Sequence, residues 1–142
     1  MNRDPKALYQ ALILEHAARP RNAGPLPEAT HEATAHNPLC GDRVTLRLRV
    51  VDGVVRDARF EARGCMIALA SASLLGEAVR EQTIAEALTL ARTLQSLVAD
   101  ERPPDDAGPL EPLRGVRDFP ARKACATLPW DALAEALATM KR

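Results

Sequence analysis

At 142 residues the chain has the size of one domain, expected over residues 1–142, and its 19 basic and 19 acidic residues cancel to a formal net charge of zero. That balance excludes the basic footprint of a nucleic-acid binder or of a protein held on an anionic membrane, and an aromatic content of 3% offers no stacking platform for bases. The hydrophobic fraction of 46% predicts a folded core, while apolar runs such as MIALASASLL fall short of the roughly 20 residues that a membrane-spanning helix needs.

In chain order, Leu8, Leu12 and Ile13 recur at helical spacing between Pro5 and about Ala18, with Asp4 as N-cap and Pro5 at the first helical position. The run ARPRNAGPLPE breaks that helix with three prolines, Asn22 and Gly24, and a short strand is expected from Glu28 to Ala35. Arg43 to Val51 alternates, setting Val44, Leu46, Leu48 and Val50 against Thr45, Arg47 and Arg49. Asp52-Gly53 signals a two-residue hairpin turn, and Val54 to Ala62 returns with Ala58, Phe60 and Ala62 on one face. Two helices follow, Met66 to Arg80 and Thr83 to Val98. The acidic, proline-rich DERPPDDAGPLEP is expected to be a surface loop, Leu110 to Val116 a short helical turn, and Pro129 the start of a final helix through Leu133, Leu137 and Met140. This order predicts an α+β fold, a small antiparallel sheet packed against helices.

The N-terminal MNRDPKALYQ lacks the basic-then-apolar pattern of a secretory signal, so the expected location is cytoplasmic. Three cysteines cannot complete a disulfide framework and read better as metal ligands or reactive thiols in a reducing compartment. Cys40, in NPLCGD, precedes the first hairpin strand, and Cys65, in RGCMI, follows the second; an antiparallel hairpin brings those ends together. Gly41 permits a tight turn that aims Asp42 with Cys40, and Cys125 stands in RKACATLPW ahead of the expected last helix. Three thiolates and a carboxylate suit tetrahedral zinc, and a helix N-terminus after Cys65 favours a thiolate there. Against this, a lone cysteine is often a small apolar core residue, and Cys-x-x-Cys spacing is absent. Asp42 also suits a plain turn, Arg122 and Lys123 a solvated basic patch. His16, His31 and His36 read as surface or hydrogen-bonded residues, with His36 close enough to Cys40 to be a reserve ligand.

Taken together, LYQALILEHAARPRNAG, NPLCGD, GCMIALASASLL and RKACATLPW, in that order, resemble the IscU/NifU N-terminal/SufU family of iron–sulfur cluster assembly proteins over nearly the whole chain. The resemblance implies a metal or cluster site at one exposed end, made of Cys40, Asp42, Cys65 and Cys125. Ala124 stands where cluster scaffolds of the family usually carry a histidine, and the segment through ERPPDDAGPLEP looks like the insertion of the SufU branch. That branch implies zinc as cofactor and a SufS-like pyridoxal-phosphate cysteine desulfurase as partner. On docking, a histidine of the desulfurase replaces one zinc ligand, and a freed thiolate, with Cys40 the candidate, takes the persulfide sulfur. Arg122 would then orient or stabilise the transferred sulfur's charge, and the sulfur would pass to a downstream iron–sulfur scaffold or apoprotein. The alternatives are a [2Fe-2S] scaffold built on the same residues and a zinc-stabilised interaction module without transfer activity.

Overall fold

The computed structural model describes residues 5–38, 41–99 and 102–138. Period-two alternation produces β2 (Arg43–Val51) and β3 (Val54–Arg63), joined at Asp52 and Gly53. Their φ values of 53° and 75° are the left-handed pair that a two-residue hairpin turn matched to strand twist requires. A third strand, β1 (His31–His36), pairs antiparallel with β2, giving the order β1-β2-β3, with a register shift in the hairpin between Arg49 and Val50. Ala33, Ala35, Val44, Leu46, Leu48, Ala58 and Phe60 line the buried face. On the other face Arg47 bridges Glu32 at 2.8 Å and Glu61 at 3.1 Å.

The helices cover one side of this sheet. They are α1 (Pro5–Ala18), α2 (Met66–Val79), α3 (Ile84–Ala99) and α4 (Pro120–Ala138), with a 3-10 segment at Gly108–Asp118. Alanines and serines let α2 sit deep between its neighbours: Ala68, Ala70, Ser71, Ala72 and Ser73 are all buried, so the apolar positions surround the helix instead of forming a stripe. It packs on β3, α1 and α4, and α4 crosses β1 and β2. Thr83 and Glu86 cap α3 reciprocally, each side chain accepting the other's backbone N–H. The expected α+β arrangement is therefore present, and no described helix is long and apolar enough to cross a membrane.

Several boundaries differ from the sequence expectation. The first strand starts at His31, because Ala29 N–H closes a turn onto the Leu26 carbonyl. In α1, Ile13 is buried but Leu12 is partly exposed, so the stripe is narrower than the spacing suggested. The acidic excursion is shorter: its end enters the 3-10 segment, where Leu110, Leu113 and Val116 are buried at the three-residue period of that helix type. The final helix starts at Pro120, not Pro129, so Cys125 lies within it. Pro129 takes one hydrogen bond from the helix interior, but the buried Leu128, Trp130, Ala132 and Leu133 around it keep the helix continuous. Asp4 and Met140, expected to cap the first helix and extend the last, lie outside the described residues.

Candidate metal and thiol site

Three chain segments meet at one end of the sheet. Asp42 comes from the loop that leads into β2, a loop closed by hydrogen bonds from Asn37 N–H to the Asp42 carbonyl and from Gly41 N–H to the Asn37 carbonyl, both 2.8 Å. Gly41 has a φ of +77°, a left-handed conformation that glycine adopts without strain. Cys65 follows β3 and is the N-cap residue of α2, with extended backbone angles. Cys125 lies on the second turn of α4. One ligand atom from each of Asp42, Cys65 and Cys125 falls within 4.8 Å of the other two.

The environment suits a cation. Asp42 is buried, and its Oδ2 has no hydrogen-bond partner among the described residues. An unsatisfied carboxylate oxygen in a buried position is costly, and a metal ion bound at it would remove that cost. The carboxylate can sit there because residue 64 is glycine: a Cβ at Gly64 would lie 2.8 Å from Asp42 Cγ and 2.9 Å from Oδ1. Burial, with hydrogen bonds to Cys65 and Asp42, pushes the Cys125 thiol up to about 12. In the metal-free protein that thiol is protonated at neutral pH, so binding a metal there must release its proton. Sulfur and carboxylate donors together fit zinc, which accepts both.

Arg122 is exposed and stands one helical turn before Cys125, which puts both on one face of α4. Charge interaction with Cys65 and hydrogen bonding to Cys125 raise its pKa. A groove of about 610 Å³ opens beside the site, lined by Leu14, Met66, Ile67, Val116, Phe119 and Arg122, among others. Leu14, Met66 and Phe119 are exposed large apolar side chains.

Of the residues singled out in the sequence, Asp42, Cys65, Cys125 and Arg122 converge, while Cys40 lies outside the described residues. His36 is exposed on β1 and is not in the cluster, and His31, hydrogen-bonded to Thr30 Oγ1 at 2.8 Å, is also outside it. His16 is buried against Ser73 Oγ at 2.7 Å. Two framing features escaped the sequence reading. Gly64 was visible only as the residue before Cys65. Ser71 on α2 donates to the Ala126 carbonyl at 2.6 Å and accepts from Trp130 Nε1 at 3.1 Å, a link that no local pattern announces.

Comparison with known proteins gives a consistent picture. The family model described as NifU-like N terminal domain matches residues 8–142. The chain is 38% identical to the zinc-dependent sulfurtransferase SufU of Bacillus subtilis, covering 92% of this chain and 90% of that protein. It is 36% identical to the iron–sulfur cluster assembly scaffold protein IscU of Thermotoga maritima over 96% of this chain and 97% of that protein. The crystal structure of a NifU-like protein, N-terminal part, from Brucella abortus superposes with a TM-score of 0.83 at 31% identity, covering 92% of each chain.

Proposed function

The chain belongs to the family of NifU-like N-terminal domains, and we propose that it serves iron–sulfur cluster biogenesis as a zinc-bound sulfur acceptor. The observation that carries this reading is the cluster of Asp42, Cys65 and Cys125 around a buried carboxylate oxygen that lacks a partner among the described residues. Asp42, Cys65 and Cys125 hold zinc, and Cys40 is the fourth ligand and the acceptor thiol. Zinc keeps the thiols it binds deprotonated at neutral pH.

The sulfur donor is a SufS-like pyridoxal-phosphate cysteine desulfurase carrying a persulfide. The Cys40 thiolate attacks the terminal sulfur, a new S–S bond forms on Cys40, the donor's S–S bond breaks, and the donor cysteine leaves as its thiolate. No external oxidant or reductant is needed, because one S–S bond breaks as another forms and the terminal sulfur keeps its oxidation level as it passes from one thiol to the other. Arg122, exposed beside Cys65 and Cys125, stabilises the anionic sulfur by a charge-assisted hydrogen bond. The sulfur then passes to a downstream scaffold or apoprotein, and the whole chain works as one cytoplasmic domain.

The likeness to IscU of Thermotoga maritima favours a second reading, a scaffold for a [2Fe-2S] cluster on the same residues. Ala124 before Cys125 speaks against it, since it cannot supply a ligand. Metal and acid-labile sulfide analysis of anaerobically purified protein, with Cys40→Ala beside it, separates the two. About one zinc per chain, no sulfide, and desulfurase stimulation that needs Cys40 are expected. Stoichiometric iron and sulfide with cluster absorbance would replace sulfur transfer with the scaffold reading.

A further inference from the structure

The solvent face of the sheet is not uniform in charge. Midway along it, cations and anions alternate: Arg47 meets Glu32 and Glu61, and Arg59 meets Asp57 at 3.4 Å. At the end that carries the thiol cluster the pattern stops. His36 of β1 stands opposite Arg43 of β2, and Arg43 stands opposite Arg63 of β3. All three are exposed, and none of their side chains makes a hydrogen bond or ion pair with another described residue. Arg43 follows Asp42 directly, and Arg63 is separated from Cys65 only by Gly64, so the row borders the site on the sheet side.

Directly opposed like charges destabilise an antiparallel pair. The sheet thus carries an unfavourable row at one place, although acidic residues balance the arginines a few residues away and the chain as a whole is neutral. An acidic surface brought against the row would neutralise it and would steer encounter toward the thiol end. We propose that His36, Arg43 and Arg63 form a docking row for an acidic patch on the protein that donates sulfur to this chain. This rests on the sulfur-acceptor reading and adds to it the charge of the partner surface and the residues that meet it.

The row makes stability and binding move in opposite directions. Arg63→Glu places a carboxylate opposite Arg43, so the variant should melt at the same temperature as the wild type or higher, with its zinc content intact. Its affinity for the desulfurase of the same organism, measured by titration calorimetry with the zinc-loaded full chain, should fall about tenfold at low salt, and its dependence on salt should flatten. Arg63→Lys should restore both. If Arg63→Glu binds within about twofold of the wild type with the same salt dependence, the docking row is wrong. An Arg63-dependent affinity for inorganic phosphate, with desulfurase binding unaffected, would give the row to a small anion instead and also overturn the proposal. A wild-type chain that does not bind the desulfurase at any salt concentration would refute the sulfur-acceptor reading itself, and the row with it.

Discussion

Replacing Asp42 with alanine separates what this carboxylate costs the metal-free fold from what it contributes to a metal site. Its Oδ2 is buried without a partner among the described residues, and leaving such a group unsatisfied costs about 1–3 kcal/mol. Truncation removes that cost but loses some packing and the hydrogen bond to Cys125, so metal-free Asp42→Ala should be more stable than the wild type by about 1 kcal/mol, a rise of about 4 °C in Tm. With zinc the sign reverses. A hundredfold loss of affinity takes about 2.7 kcal/mol from the stabilisation that saturating zinc supplies, leaving a net loss of about 2 kcal/mol against loaded wild type. Differential scanning calorimetry of both proteins, stripped by chelator and reloaded, measures both signs. If Asp42→Ala is destabilised to the same degree with and without zinc, the carboxylate has a structural partner, and the inference from its orphaned oxygen is refuted.

Gly64→Ala should act on the same carboxylate from the other side, since the new Cβ would lie 2.8 Å from Asp42 Cγ. It is expected to weaken zinc binding in a chelator competition by at least about tenfold, and in an Asp42→Ala background the added methyl should have little further effect on stability. A second test concerns His16, whose pKa is lowered by burial and by Arg21, against the opposing influence of Glu77 and Glu15. A histidine held below its unfolded value of about 6.5 contributes stability that is present above that pH and is lost as pH falls through its folded value. The wild type should therefore lose urea resistance between about pH 7 and 5 more steeply than His16→Gln; equal slopes would rule out His16 as the cause.

The hairpin was legible because two local signals agree: period-two alternation and an Asp-Gly pair whose φ values both turn positive. Helix α4 was misread for the opposite reason. Pro129 is a strong local start signal, yet buried Trp130, Leu133 and Ala136 on one side and Cys125 and Ala126 on the other hold the helix continuous through it. A proline costs a helix interior about 3 kcal/mol, and tertiary burial that outweighs this leaves no trace in the local pattern. The site was half visible on similar grounds. Cys65, at the junction between strand and helix, was readable from the local pattern. The contacts that set its geometry, Gly64 against Asp42 and Ser71 against Ala126 and Trp130, join residues 22, 55 and 59 positions apart. The Arg43 and Arg63 row was equally hidden, since only the strand register shows that the two are opposite each other.

The long-range contacts also bear on the ligand exchange that the proposed sulfur transfer calls for. Cys65 stands at the N-cap position of α2 and Cys125 lies within α4, so their separation follows from how these two helices pack. Ser71 fixes that packing by bonding to the carbonyl of the residue after Cys125 and to the Trp130 indole, within a buried cluster that contains no metal ligand. The Asp42 backbone is held by the hydrogen bond from Asn37 N–H to its carbonyl, and its side chain fits into the space at Gly64. Three donors are therefore positioned by contacts within the fold itself. A site assembled only by its metal loses its geometry when one bond to the metal is broken. Where packing holds three donors, a fourth thiol could leave a bound metal while the others stay in place, which is the freedom that the proposed sulfur acceptance by Cys40 requires.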